Sequence, residues 1–168
     1  NKPLGTGDAV LKTKKFIKND YFLMLLPDDL IIKKNCSKSM IEIHKRFNTS
    51  VMASMNVNRN TVTRWGIYKL KKKINKKNYL ISGVVEKPSI NKAPSNKAVI
   101  GRYILPKSIF LKLSNLKSGK GGEKHITDAI QSLINDNENF IAHNFAGKYL
   151  DCGSMTGYIK SSLEISKS

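Results

Sequence analysis

Two places in this sequence set a carboxylate just beyond an apolar run, where a strand would end. Pro27-Asp28-Asp29 follows Phe22-Leu23-Met24-Leu25-Leu26, and Asp151-Cys152-Gly153-Ser154 follows Lys148-Tyr149-Leu150. In open α/β sheets, ligands bind outside the carboxyl ends of the strands. Adjacent carboxylates at such an edge suit magnesium, a hard cation that prefers oxygen ligands and keeps part of its water. Asp151 could meet the first pair across the sheet edge and clamp one metal between them. Both sites have plainer readings. Pro and Asp favour turns, and an Asp ahead of a helix can cap it.

Glu86-Lys87-Pro88 marks a third strand end, after Leu80 to Val85. Glu can accept hydrogen bonds from sugar hydroxyls, while Lys neutralises a phosphate as a point charge. A surface Glu–Lys neighbour pair is the alternative. Pro3-Leu4-Gly5-Thr6-Gly7 precedes a helical stretch, where exposed backbone amides can approach an anion or a base. It is neither a complete GxGxxG nor a P-loop motif.

The elements that must position these residues alternate between helix and strand. Ala9 to Phe16 reads as a short helix. Phe22 to Leu26 is a continuous apolar run stopped by Pro27, as for a strand buried on both faces. Ser37 can cap the helix carrying Met40, Ile41, Ile43 and Phe47. Ser50 to Val57 alternates like a strand, and Trp65–Leu70 and Tyr79–Val85 are strands around a lysine-rich turn. Lys97 to Leu105 is another strand, after which Pro106 opens a helix to about Leu116. Ser118 to Gly122 is a loop, and Ile126, Ala129, Ile130, Leu133 and Ile134 have helical spacing. Strands at Phe140–Phe145 and Lys148–Leu150 and a helix over Met155–Ile165 complete a single α/β domain with a mixed sheet.

Composition sets the outer bounds. No window approaches the length of apolar run that a membrane-spanning helix needs. The start, Asn1-Lys2-Pro3-Leu4-Gly5, has no apolar run of the secretory kind behind its charges, and it lacks Met. Cys36 and Cys152 form no CxxC pair, and two separated thiols suit a reducing cytoplasm. His44, His125 and His143 have no zinc-like spacing. The net charge of +18 invites a nucleic-acid reading, but Lys supplies 26 of the 30 basic residues and Arg only four. Nucleic-acid binders exploit the planar Arg fork. The Lys69–Lys77 run holds no aromatic residue for stacking and reads as a solvated hairpin.

The motifs together resemble a family. In order they are Lys2-Pro3-Leu4-Gly5-Thr6-Gly7, Leu26-Pro27-Asp28-Asp29, Arg64-Trp65-Gly66-Ile67, Glu86-Lys87-Pro88 and Ala93-Pro94-Ser95-Asn96. Gly101-Arg102-Tyr103-Ile104-Leu105, Gly121-Gly122-Glu123, Ile126-Thr127-Asp128-Ala129-Ile130 and Tyr149-Leu150-Asp151-Cys152-Gly153-Ser154 follow. Their sum is similar to bacterial UTP–glucose-1-phosphate uridylyltransferases, of the sugar nucleotidyltransferase group. The resemblance implies a single Rossmann-like domain with a mixed, mainly parallel sheet. It implies magnesium held by Asp28 and Asp151, and Gly5 against the nucleotide. Gly66 and Glu86 would contact glucose, Lys87 would grip the sugar phosphate, and Asp29 and Gly101 would line the sugar site. The implied substrates are UTP and glucose 1-phosphate, in a cytoplasmic homo-oligomer that binds neither nucleic acid nor membrane. Thymidylyl transfer from dTTP is the alternative within the group; a basic nucleic-acid-binding module is the alternative outside it. Leu-Pro-Asp-Asp and Asp-Cys-Gly-Ser favour the uridylyl branch.

The chain departs from that pattern at Asp8, where the family usually has His, at Trp65, where it has Tyr, and at His125, where Gln is common. By the same resemblance, residues 1–168 correspond to the C-terminal two-thirds of one such domain. The glycine-rich phosphate loop and the base-reading Gln would lie upstream. Taken alone, residues 1–168 are therefore expected to have little or no transferase activity.

Overall fold

The computed structural model describes residues 4–117 and 122–167. The described elements begin with α1 (Thr6–Lys12), β1 (Tyr21–Leu25), β2 (Asp29–Ile32), α2 (Cys36–Phe47), β3 (Ser50–Asn56), β4 (Gly66–Lys73) and β5 (Asn78–Glu86). They continue with β6 (Lys97–Pro106), α3 (Ile109–Asn115), α4 (Ile126–Asn135), β7 (Phe140–Asn144), β8 (Lys148–Asp151) and α5 (Met155–Ile165). Six strands form one sheet in the order β1-β6-β3-β7-β5-β4, and β2 pairs with β8 in a separate ribbon. Lys2, Pro3 and the Ser118–Gly121 part of the expected loop lie outside the described residues.

The α/β class is as expected, but a mainly parallel sheet is not what forms. β3 and β7 run parallel, whereas β1–β6, β3–β6, β4–β5, β5–β7 and β2–β8 are antiparallel. Apolar runs report burial and carry no direction. β6 is buried at all 10 positions although antiparallel to its neighbours, because helices cover both its faces. A short turn joins antiparallel β4 to β5, while parallel β3 and β7 need a long crossover.

Phe110 and Leu113 of α3 and Ile130 and Leu133 of α4 pack with Met52, Tyr68, Leu105 and Phe140 on one sheet face. On the other, Cys36 and Met40 of α2 meet Val51, Ala53, Ile100 and Ile104. Successive β3 residues thus serve opposite cores, as the alternation of strand side chains requires. Each fully buried large apolar side chain here contributes about 1.5–3 kcal/mol.

Several local expectations shift. β1 is an edge strand, half-buried at Tyr21–Met24 and exposed at Leu25, because it pairs only with β6. The α2 cap is Asn35, whose side chain accepts from the Lys38 amide at 2.9 Å, and not Ser37, which already lies in the helix. Pro106 closes β6 opposite Tyr21 instead of opening α3. At a strand end its missing N–H costs no interior ladder bond. The lysine-rich segment is the exposed end of the β4–β5 hairpin, as expected.

His143, 5% exposed on β7, is a structural residue. Its Nδ1 faces Asn78 Oδ1 at 2.8 Å, and its Nε2 faces Ser39 Oγ at 3.1 Å. Burial first, then the Lys77 charge, push its pKa down from 6.5 to about 4. As pH falls through that window, the unfolded chain takes up a proton that the folded chain refuses. Stability should therefore fall as pH drops from 6.5 towards 4 and level off below. Urea titrations across that range should show a decline of up to about 3 kcal/mol that His143→Gln removes in part. The same slope in both proteins would count against a neutral buried ring.

Candidate active site

The β2–β8 ribbon, unanticipated from the sequence as a separate sheet, brings the two acidic motifs together. Asp29 stands opposite Asp151 in its register, and the Cys152 amide donates to the Asp28 carbonyl at 2.8 Å. Both carboxylates then face Gly153. A Cβ there would lie 3.0 Å from Asp28 Oδ2 and 3.4 Å from Asp151 Oδ1. The absent side chain leaves a cradle between the two acids.

Neither plain reading of Asp151 or Asp28 holds in full. The α5 cap is Ser154, whose side chain accepts from the Gly157 amide at 3.1 Å. Asp151 Oδ1 instead accepts from the Gly153 amide at 3.0 Å, and Oδ2 lies 3.5 Å from Arg64 Nη2. Pro27 and Asp28 do form a turn. Yet the Asp28 carboxylate has no hydrogen bond or ion pair among the described residues, so its oxygens are available to a ligand.

Asp29 differs from its neighbour. Its Oδ2 accepts from the Gly101 amide at 2.6 Å, and its Oδ1 accepts from the Tyr149 hydroxyl. Burial first, then that hydrogen bond and the charges of Asp29, Asp151 and Asp28, raise the Tyr149 pKa strongly. Tyr149 stays a neutral donor. Its ring meets Trp65 edge-on at 5.7 Å. Asp29 is thereby the brace that holds the acidic turn to β6, where the Leu26 amide also donates to the Gly101 carbonyl at 2.8 Å.

Glu86 ends β5 opposite Gly66, and a Cβ on Gly66 would stand 3.0 Å from Glu86 Oε2. Lys87 follows with φ 43°, and its amide donates to the Trp65 carbonyl at 3.0 Å. The left-handed conformation is uncommon for a side-chain-bearing residue and recurs at functional sites. Buried Tyr103 lies within electrostatic reach of both this corner and the acidic turn. Burial raises its pKa, and the carboxylates of Asp29, Glu86 and Asp28 add to the shift.

Gly5 sits apart from that cluster in its contacts. It caps α1 with φ 94°, and a Cβ there would come within 2.7 Å of the Lys124 carbonyl oxygen. The Gly7 amide donates to that same oxygen at 2.8 Å, so the glycine turn is stitched to the segment before α4.

Sequence reasoning missed Tyr149, Tyr103 and Arg64 as parts of the site. Tyr149 was within reach of it, since residues two apart on a strand share a face and Asp151 is two positions on. Tyr103 was within reach by the same rule, two positions after Gly101 on β6, whereas Arg64 precedes β4 and carries no such signal.

No group of three His, Cys, Asp or Glu residues that could hold a metal occurs among the described residues. The donor set is a carboxylate pair, which fits a cation that draws its other ligands from water and substrate phosphates. It does not suit an all-protein cage. No helix among the described residues is long and apolar enough to cross a membrane.

A family model described as nucleotidyl transferase matches residues 1–168. The chain is 37% identical over 167 residues to UTP–glucose-1-phosphate uridylyltransferase 2 of Streptococcus pyogenes serotype M3, covering 96% of this chain and 56% of that protein. It is 35% identical over 161 residues to UTP–glucose-1-phosphate uridylyltransferase of Mycoplasma pneumoniae, covering 95% of this chain and 55% of that protein. The chain thus spans about half the length of the curated relatives it matches. A crystal structure of UDP-glucose pyrophosphorylase complexed with UDP-glucose superimposes with a TM-score of 0.91 at 38% identity. That match covers 99% of this chain and 64% of the other.

Proposed function

Because the chain belongs to the nucleotidyl transferase family, we propose that it carries the metal and sugar half of a UTP–glucose-1-phosphate uridylyltransferase. The observation that supports this most is the convergence of Asp28 and Asp151 on the cradle at Gly153. A phosphate oxygen of glucose 1-phosphate attacks the α-phosphorus of UTP in line, and pyrophosphate leaves. Magnesium, when bound, supplies charge neutralisation on the triphosphate. Asp28 and Asp151 are its protein ligands in this reading.

The remaining residues position and balance charge, which is most of what phosphoryl-type transfer asks of a protein. Lys87 grips the phosphate of the sugar. Glu86 accepts hydrogen bonds from glucose hydroxyls, and Gly66 leaves the sugar room beside it. Asp29 and Gly101 form the floor of the sugar site by fixing each other. Gly5 lies against the nucleotide. Asp8, in the first turn of α1 and paired to Lys12 at 2.8 Å, has its negative charge offset locally.

The test uses the protein of the full reading frame that contains residues 1–168. Magnesium-dependent pyrophosphate release from glucose 1-phosphate is followed with UTP and with dTTP. Strong preference for UTP, with UDP-glucose as product, is the expected result. Preference for dTTP would keep the chemistry and reassign the base. No release with either nucleotide, from a folded protein, would overturn the transferase reading.

A further inference from the structure

Arg64 touches the acidic pair but has no part in the transfer described above. Among the described residues its guanidinium makes the one ion pair of Asp151, with Nη2 3.5 Å from Oδ2. The backbone beneath it is fixed. Arg64 closes the 3-10 helix Arg59–Arg64, in which Val62 is fully buried, and the Trp65 amide donates to the Val62 carbonyl at 3.1 Å. The guanidinium also stands 5.7 Å from the centre of the Trp65 ring, within reach of a cation–π attraction. Trp65 in turn packs against Tyr149, the partner of Asp29. An aromatic support thus holds Arg64 beside the strand end that carries Asp151.

The contact with Asp151 is loose. It exceeds the length of about 2.7–2.9 Å that a strong charge-assisted hydrogen bond adopts, and its two side chains are 64% and 34% exposed. An exposed pair of this kind changes an equilibrium by a factor of about five or less. The orientation of Asp151 does not depend on it, because Oδ1 already accepts from the Gly153 amide at 3.0 Å. What Arg64 adds is charge. A guanidinium stays protonated at any working pH, so it opposes a second cation on the same carboxylate.

We infer that Arg64 is a positioning residue that sets the cation affinity of the acidic pair, acting through Asp151. Its charge loosens the hold of Asp151 on a divalent ion, so the pair keeps that ion exchangeable until substrate phosphates add their oxygens. This role rests on Asp28 and Asp151 being the ligands, as proposed above. A guanidinium that yields Oδ2 still has the Trp65 face beside it, so its release costs little.

The probe is Mn²⁺ alone, in place of magnesium, titrated at low ionic strength into the protein of the full reading frame. The free ion is read by electron paramagnetic resonance. Wild type is expected to bind the ion at a site that Asp28→Asn removes. Arg64→Ala should bind it about two- to five-fold more tightly. Arg64→Lys, which restores the charge, should bind it like wild type. Lys160 lines the same cavity as Arg64 and makes no ion pair with Asp151 among the described residues. Lys160→Ala, which removes an equal charge, should therefore also bind like wild type. Unchanged or weaker binding in Arg64→Ala, or equal tightening in Lys160→Ala, would overturn this role for Arg64 and leave the metal assignment standing. Manganese binding that Asp28→Asn does not alter would overturn both.

Discussion

Asp28→Asn and Asp151→Asn, made in the full reading frame, should each lower turnover by about 100-fold or more while leaving the fold intact. The double variant should be little worse than either single one, because two ligands of one ion act as a unit. The geometry explains why stability should hold. Asn is close to Asp in shape. Asp28 uses neither oxygen in a hydrogen bond or ion pair among the described residues. Asp151 accepts one amide from Gly153 and has a long, largely exposed contact with Arg64, and exposed pairs of that kind contribute about 1 kcal/mol or less. Steady-state rates over a magnesium series, with urea unfolding of the same samples, check both halves. If either variant turned over normally at saturating magnesium, the shared site would be wrong. If it instead lost stability, the carboxylate would be a structural one.

Gly101→Ala should damage both stability and activity. The added methyl would come within 2.5 Å of Asp29 Oδ2 and 2.6 Å of Leu26 Cβ. Neither neighbour can swing away freely. Asp29 Oδ2 is bound to the Gly101 amide, and the Leu26 amide is bound to the Gly101 carbonyl. Relief requires moving β6 or the acidic turn, at a cost of about 1–3 kcal/mol for overpacking. Any movement of that turn carries Asp28 with it, so the rate should fall more than the lost stability alone explains. Gly66→Ala is the informative contrast. Its methyl meets the free end of Glu86 at 3.0 Å, a flexible group that can rotate aside, and Val84 Cγ1 and Val99 Cγ2 at 3.2 and 3.3 Å, which must give by a few tenths of an ångström. That variant should lose less stability than Gly101→Ala and raise KM for glucose 1-phosphate. Equal behaviour of the two variants in rate and unfolding assays would refute the bracing role given to Asp29 and Gly101.

The pairing of Asp29 with Gly101 also separates two adjacent acids that look interchangeable in the sequence. Asp29 spends both oxygens inside the protein, on Tyr149 and Gly101. Asp28, one residue earlier in the turn, spends neither among the described residues. A turn reverses side-chain direction between neighbours, and only the packing around it tells which acid faces inward.

Much about this protein is determined locally and was therefore readable from residue order. Strand stretches, the helices over residues 126–135 and 155–165, and the placement of Asp28, Glu86 and Asp151 at strand ends all depend on periodicity and on turn residues within a few positions. The spaced motifs, from Leu26-Pro27-Asp28-Asp29 to Asp151-Cys152-Gly153-Ser154, carry the family resemblance, and the family model matches the whole chain. What only the tertiary structure decided is which strands meet, in which direction, and what their side chains then touch. The antiparallel setting of β6 between β1 and β3, the β2–β8 ribbon that joins Asp28 to Asp151, and the hold of Tyr149 on Asp29 are contacts between distant segments. They arise because each segment buries its apolar face best in one register, and that choice is made by the assembled core rather than by any stretch of chain alone.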